Sequence, residues 1–167
     1  MRPGSRTWWP TKVRQFRAYV RARVSDDERR ALDAWTTEAQ RELFDRMHVA
    51  DRRHGLDVVA TLRSEGVLDP DLLIAGLLHD AGKGLTGAPP RVVHSLADAY
   101  GGWIRRAAAL LPGMRQPLER LRTHAETSAR LAQTAGCSPR TVELIRWQDA
   151  PRDPEYGERL RLADEAN

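Results

Sequence analysis

The segment 77–83, with the sequence LLHDAGK, holds the residues of this chain best suited to chemistry. It places the imidazole of His79 and the carboxylate of Asp80 at the end of an apolar stretch, where a core would otherwise take Leu or Ala. Burying a carboxylate is costly unless a metal ion, another cation or a dense set of hydrogen bonds accompanies it. Asp and His suit divalent Mn, Fe, Co, Ni, Zn or Mg, and the negative end of a helix dipole favours a cation. A simple buried His–Asp pair is the alternative.

Two polar residues elsewhere in the chain are candidates to complete a site around His79 and Asp80. His54 opens an amphipathic stretch that should form the preceding helix and pack directly against the helix ending at His79. Asp164 is a carboxylate flanked by apolar residues on the last predicted helix. A neutral imidazole ligates a divalent ion through one nitrogen while the other is held by a hydrogen bond, and a carboxylate can ligate one ion or bridge two.

The order of these residues along the chain resembles the HD superfamily of metal-dependent phosphohydrolases. The resemblance covers about residues 50–167 and rests on His54, on His79-Asp80 followed by Gly82-Lys83, and on the distant Asp164. It implies an all-α fold in which His54, His79, Asp80 and Asp164 ligate one divalent metal ion. It also implies a metal-activated water that attacks phosphorus, and therefore hydrolysis of a phosphomonoester or phosphodiester. The expected substrate is a small, nucleotide-type phosphate.

Further residues receive roles on the same basis. Lys83 lies just past the ligands and could neutralise a phosphate oxygen in the transition state, although a solvated loop lysine is an alternative. His124 opens a later helix, where related phosphodiesterase branches place a histidine that faces a second metal or the substrate phosphate. Asp80, Lys83 and His124 are therefore the expected catalytic residues. His48 and His94 are expected to be ordinary hydrogen-bonded histidines.

The chain departs from the family pattern at three places. Where some branches carry a histidine pair, this chain has Trp147-Gln148, and because glutamine is a poor transition-metal ligand we expect one ion. The Glu-Asp pair of the guanosine tetraphosphate hydrolases and the Gly-Tyr-Pro signature of the cyclic-di-GMP phosphodiesterases are also missing, so neither substrate is supported. These departures leave an alternative open, a catalytically degenerate HD domain that binds metal or nucleotide as a regulatory module.

The elements that must position these residues are predicted to be helical. Capping boxes begin helices at Ser25 and Thr37, and a helix over 51–65 ends before Gly66. Asp69 then caps a helix that is apolar on nearly every side, which is typical of a central, buried helix. After a loop over 82–90, further helices are predicted at 92–100, 104–111, 117–135 with a break near His124, 139–148 and 155–166. We expect an all-α, HD-domain-like bundle of about seven to nine helices.

The charge of the chain is uneven along its length. The net charge is +4, but residues 1–24 hold seven basic side chains and no acidic one, which leaves −3 on the remainder. Aromatic residues in this arm could stack on nucleic acid, whereas the apolar spacing of Val13, Phe16, Val20 and Val24 favours an amphipathic helix docked on the body. The second interpretation is the stronger. We expect a basic, amphipathic helical extension over 1–46 and an HD domain over 47–167.

Composition excludes several other classes of protein. A hydrophobic content of 41% and a charged content of 30% are typical of a globular chain, and one cysteine, Cys137, excludes a disulfide framework. No apolar run approaches the roughly 20 residues that span a bilayer, and the basic arm lacks the features of a signal peptide. We therefore expect no transmembrane segment and a cytoplasmic location.

Overall fold

All regular secondary structure is helical in the part of the chain that the computed structural model describes, residues 21–167 without the side chain of Asp98. This part contains ten α-helices: α1 Asp26–Ala31, α2 Glu38–Arg46, α3 Val49–Ser64, α4 Pro70–Leu78, α5 Ala88–Tyr100, α6 Trp103–Ala108, α7 Arg115–Arg122, α8 His124–Thr134, α9 Pro139–Arg146 and α10 Tyr156–Ala166. Short 3-10 helices lie at Leu32–Ala34 and Ala81–Lys83. The predicted all-α bundle is confirmed.

Local hydrogen bonds fix the predicted helix ends. Ser25 and Thr37 both form complete capping boxes, at the starts of α1 and α2. The Asp69 side chain accepts a hydrogen bond from the backbone of Leu72 and so caps α4. Such caps contribute about 1 kcal/mol each, because they satisfy backbone N–H groups that lack a partner within the helix. Gly66 has a φ of 81°, the left-handed conformation expected after the end of α3.

Helix α4 is the centre of the bundle. Its residues 72–78 are all buried, and it packs against α2, α3, α9 and α10. Burying a large aliphatic side chain contributes about 1.5–3 kcal/mol, so a helix whose residues 72–78 are apolar and buried is held firmly in a single position. The residue that ends it, His79, is consequently fixed inside the protein rather than at its surface.

Two glycines allow other helices to approach the end of α4. A Cβ atom at Gly55 of α3 would lie 2.5 Å from the carbonyl oxygen of Leu77. A Cβ atom at Gly82 would lie 2.3 Å from the carbonyl oxygen of His124, where α8 begins. The Gly82 N–H also donates to the hydroxyl of Ser128 at 2.8 Å. These close contacts bring α3 against the end of α4 and α8 against the segment that follows it.

Some predicted element boundaries were wrong. Helix α3 begins at Val49, because the Nδ1 atom of His48 accepts a hydrogen bond from the Ala50 backbone and caps it. His54 therefore lies in the second turn of α3 and not at its start. The loop predicted over 82–90 is too long, since Pro89 and Pro90 lie in the first turn of α5, where proline is tolerated. The predicted break near His124 is confirmed.

The N-terminal predictions fall largely on residues 1–20, which lie outside the described part of the chain. Val24, the last residue of the predicted amphipathic stretch, packs against the core. Leu32, Leu43 and Phe44 belong to the same core cluster as residues of α4 and α10. Within residues 21–167, no helix combines the length and apolar character needed to cross a membrane.

Candidate metal centre

Three of the four predicted metal ligands form a compact cluster. His54 from α3, His79 at the end of α4 and Asp164 from α10 place ligand atoms within 4.8 Å of one another. The Nε2 atom of His54 lies 2.7 Å from Oδ1 of Asp164, and Nε2 of His79 lies 3.4 Å from the same oxygen. The two imidazole rings meet edge to face, with 5.2 Å between their centroids. Residues 110 positions apart in sequence are thus joined at one point.

Asp80, the fourth predicted ligand, lies beside this cluster. Its Oδ1 atom is 3.6 Å from Nε2 of His79 and 3.7 Å from Nε2 of His124. Its Oδ2 atom accepts a hydrogen bond from the ammonium of Lys83 at 2.5 Å. The carboxylate therefore connects the His54–His79–Asp164 cluster to a second polar group formed by Lys83 and His124.

Two buried polar atoms in this centre need a partner. His79 Nδ1 lies 2.9 Å from the carbonyl oxygen of Gly76, so it carries the hydrogen and leaves the lone pair of a neutral ring on Nε2. Among the described residues, neither His79 Nε2 nor Asp80 Oδ1 has a hydrogen-bond partner. Both side chains are 2% exposed. An unsatisfied buried polar atom costs about 1–3 kcal/mol, and a cation can accept electrons from both atoms. The residues therefore fit a divalent metal ion.

The electrostatics of the centre favour additional positive charge. Burial opposes a charge on His79, but the carboxylates of Asp80 and Asp164 outweigh burial and raise the pKa of His79 to about 9. Burial raises the pKa of the Asp80 carboxyl, but Lys83 and His79 outweigh burial and hold that pKa far below its usual range. Burial also raises the pKa of Asp164, but His54 and His79 outweigh burial and lower that pKa. Because a metal ion binds a neutral imidazole, an ion at Nε2 of His79 would displace this proton.

The centre is buried at one end and open at the other. The side chains of His79 and Asp80 are 2% exposed, whereas Asp164 is 44% exposed and His54 and Lys83 are each 24% exposed. Solvent therefore reaches the centre from the side of Asp164. The donor set of two imidazoles and two carboxylates has the intermediate hardness that suits Mn, Fe, Co, Ni or Zn.

Lys83 is a fixed part of the centre rather than a solvated loop residue. Burial would lower its pKa, but Asp80 and Asp51 outweigh burial and raise it, so the ammonium stays charged. The hydroxyl of Thr86 donates to the Lys83 carbonyl at 2.6 Å, and Arg91 donates to the Thr86 carbonyl at 2.9 Å. Arg91 also binds both carboxylate oxygens of Asp51, at 2.7 and 2.6 Å. This clamp holds the segment that carries Lys83 over Asp80.

His124 also lies next to Asp80. Its Nδ1 atom lies 2.8 Å from the carbonyl oxygen of Leu121, and its Nε2 atom faces Asp80 Oδ1 and the side chain of Gln148. His48, by contrast, has the ordinary structural role expected of it, because it caps α3. The Asp51–Arg91 pair was not predicted. Its members lie 40 residues apart, and no local pattern connects them.

Comparison with protein-family models, with curated proteins and with solved structures finds no match to this chain. The features of the molecule itself therefore define its class. It is an all-α bundle that carries a partly buried centre of histidine and aspartate side chains at the end of its central helix.

Proposed function

We propose that this protein is an HD-type, metal-dependent phosphohydrolase in which His54, His79, Asp80 and Asp164 hold one divalent ion. The observation that carries the proposal is the pair of unpartnered buried atoms, His79 Nε2 and Asp80 Oδ1, within the described residues. They lie 3.6 Å apart, and His79 also belongs to the cluster whose ligand atoms are within 4.8 Å of one another. Buried polar atoms are normally satisfied, so this arrangement supports a binding site for a cation.

A divalent ion in this centre would polarise a phosphoryl oxygen and lower the pKa of a bound water toward neutrality. The chain's own residues supply the remainder. His79 is held in one tautomer by the Gly76 carbonyl, which keeps Nε2 directed at the carboxylates. Asp164 and His54 line the open side, where a phosphoester would enter. Lys83, fixed next to Asp80, can donate to a negatively charged phosphate oxygen and stabilise the charge that develops there.

We propose that His124 supports the reaction through Asp80. Its Nε2 atom faces Asp80 Oδ1 at 3.7 Å, and its other nitrogen is held by the Leu121 carbonyl. Its ring therefore has a defined orientation at the side of the carboxylate. The substrate class that this centre fits is a phosphomonoester or phosphodiester, with a small nucleotide as the expected example, because a lysine beside a divalent ion favours an anionic oxygen.

The second candidate function is a regulatory module that binds metal or nucleotide without turnover. The side chain of Gln148 favours this second function. Its amide nitrogen lies 3.1 Å from His124 Nε2, and an amide is a poor metal ligand at a position where a better one would allow a second ion to bind. The two functions differ in one observable. An enzyme releases phosphate or a nucleoside product, whereas a module of this kind binds the metal and returns the phosphoester unchanged.

The test is hydrolysis of a panel of nucleoside monophosphates, nucleoside triphosphates and cyclic dinucleotides, measured with and without a chelator. We expect phosphoester cleavage that requires a divalent metal and that is lost in Asp80→Ala. The variant His48→Asn is the matched control, because it removes a histidine outside the centre while keeping a residue suited to capping α3. Cleavage that is unaffected by the chelator or by Asp80→Ala would contradict the proposal. Metal binding without cleavage of any ester would support the regulatory module.

A further inference from the structure

Gln148 makes an unusual contact with His124 beside the proposed metal ligands. Gln148 follows the end of α9 and is 6% exposed. Its amide nitrogen lies 3.1 Å from Nε2 of His124 and 3.4 Å from the carbonyl oxygen of His79. One side chain thus contacts both histidines that flank Asp80.

The hydrogens of this contact can be assigned from its neighbours. The His79 carbonyl can only accept, so the Gln148 atom that faces it must be the amide nitrogen. The Nδ1 atom of His124 faces the Leu121 carbonyl at 2.8 Å and must likewise carry a hydrogen. In a neutral ring the lone pair of His124 is then on Nε2, which faces the same amide nitrogen. Gln148 therefore donates a hydrogen bond to the one lone pair with which His124 could ligate a metal.

The two sides of Asp80 differ because of this bond. Oδ1 of Asp80 is nearly equidistant from two imidazole nitrogens, 3.6 Å from that of His79 and 3.7 Å from that of His124. On the first side, His79 Nε2 has no hydrogen-bond partner among the described residues, and two more ligands lie close by. On the second side, the lone pair of His124 is occupied. Oδ1 of Asp80 therefore lies beside a complete set of metal ligands on the side of His79 only.

We propose that Gln148 limits the centre to a single metal ion by occupying the lone pair of His124. This inference rests on the proposed function, because it concerns the same centre. It assigns Gln148 a specific task that its buried position and its two hydrogen bonds support. Replacing its amide by a ligating group of similar length removes the donor and adds a ligand, and so should create a second ion site between Asp80 and His124.

The experiment is a titration of chelator-treated protein with Mn²⁺, followed by calorimetry and by elemental analysis after desalting. We expect one equivalent of Mn²⁺ in the wild type and two in Gln148→Glu, whose carboxylate cannot donate to His124. The double variant Gln148→Glu/His124→Ala should return to one equivalent. Gln133→Glu is the matched control, because it adds the same charge at an exposed position on α8 and should bind one equivalent.

A second variant protects the test against a folding defect. Gln148→His also supplies a lone pair and should bind two equivalents, and far-ultraviolet circular dichroism establishes that each variant keeps its helices. Two equivalents in the wild type, or one equivalent in both folded Gln148 variants, would overturn this inference alone. No Mn²⁺ in the wild type would overturn the proposed function together with it, so the two failures are distinguishable.

Discussion

Each residue of the proposed centre has a distinct electrostatic task. Asp80 is buried and paired with the ammonium of Lys83, whereas Asp164 is half-exposed and faces the two histidines of the cluster. The carboxylate of Asp164 therefore adds negative charge at the entrance of the centre, where an ion would arrive. Removing that charge should affect ion binding more than it affects folding.

Asp164→Asn should weaken binding of a divalent ion by on the order of 100-fold or more, because a neutral amide replaces a charged ligand. The free energy of unfolding of the ion-free protein should change by only about 1 kcal/mol, since the side chain is 44% exposed. Calorimetric titration with Mn²⁺ and urea denaturation measure the two effects separately. Asp149→Asn, at an exposed position outside the cluster, is the control. Equal ion affinity in both variants would remove Asp164 from the ligand set.

Lys83→Ala should lower turnover by about 10²–10³-fold while leaving one bound ion, because an electrostatic stabiliser of the transition state is lost but no ligand is removed. The measurement is steady-state hydrolysis beside elemental analysis of the same preparation. Lys83→Arg, which keeps the charge in a different shape, should recover part of the lost rate. Turnover that is unchanged in Lys83→Ala would show that the lysine pairs with Asp80 for stability alone.

The residue types of the centre were predictable, but some of their contacts were not. His79 and Asp80 stand out because polar side chains at the end of an apolar helix require compensation. The sequence also singles out Gln148, but only because a glutamine occupies a position where some branches of the HD superfamily have a histidine. Its hydrogen bond to His124, and the bidentate contact of Arg91 with Asp51, depend on how α3, α5, α8 and α9 pack. That packing cannot be predicted from any local sequence pattern.

At the scale of helices, close backbone contacts decide whether the ligands meet. Gly55 lies next to His54 in α3, and a Cβ atom there would be 2.5 Å from the Leu77 carbonyl oxygen of α4. Because the atoms in contact belong to the backbone, a Cβ atom at position 55 would force the two helices apart. The distance between His54 and His79 therefore depends on the absence of a side chain at position 55.

Gly55→Ala should lower the free energy of unfolding by about 1–3 kcal/mol and should also weaken metal binding, since His54 moves with its helix. Urea denaturation and a Mn²⁺ titration measure the two effects. Gly102→Ala is the matched control, because that glycine has a φ of −63° and an added Cβ would meet nothing closer than 3.7 Å. If both variants unfold at the same urea concentration, the close contact of α3 with α4 is not a constraint.

Helix α1 is attached to α3 by an ion pair that should make stability depend on pH. A hydrogen bond from Arg53, at 2.5 Å, and one from the Ser25 backbone lower the pKa of Glu28 from 4.5 to about 2. Because the folded-state pKa is the lower one, this contribution is present above about pH 4.5 and is lost as the pH falls toward 2. The pair is partly exposed, so its contribution is reduced by solvent screening.

Glu28→Gln keeps the capping box and removes the charge. It should cost about 0.5–1 kcal/mol of unfolding free energy at pH 7, and the difference from the wild type should shrink steadily as the pH falls below 4.5. Urea denaturation at a series of pH values is the measurement. A difference that stays constant down to pH 2.5 would indicate a cause other than the charge of Glu28.

Helix starts with standard caps were predictable, and two starts without them were misplaced. Ser25, Thr37 and Asp69 are preferred N-cap residues, and each begins a helix. His48 is not among the preferred caps, so the true start of α3 was missed. Pro90 was assigned to a loop, although proline is tolerated in a first turn. Both starts follow from local interactions outside the usual cap preferences, a hydrogen bond accepted by His48 and prolines in the first turn of α5.

At the scale of the whole molecule, a hydrophobic core built by the described residues supports the centre. The core cluster runs from Leu32 to Ala163, and the helices that carry the proposed ligands, α3, α4 and α10, all contribute to it. Ligand positions and global folding are therefore coupled. An ion that binds the folded chain and not the unfolded one must stabilise the entire described bundle.

Saturation with Mn²⁺ should raise the thermal unfolding temperature of the wild type. At an ion concentration 100 times the dissociation constant, the stabilisation is about 2.7 kcal/mol. A chelator should reverse the shift, and Asp164→Asn should show little of it at the same concentration. Differential scanning calorimetry is the measurement. An equal shift in the wild type and in Asp164→Asn would place the ion elsewhere on the molecule.

The central claim is that His54, His79, Asp80 and Asp164 share one divalent ion, and anomalous X-ray scattering from crystals grown with Mn²⁺ tests it most directly. We expect a single strong anomalous peak within about 2.0–2.3 Å of His54 Nε2, His79 Nε2 and at least one oxygen from each carboxylate. A centre without a peak in a fully loaded crystal, or a peak only at carboxylates on the surface, would contradict it.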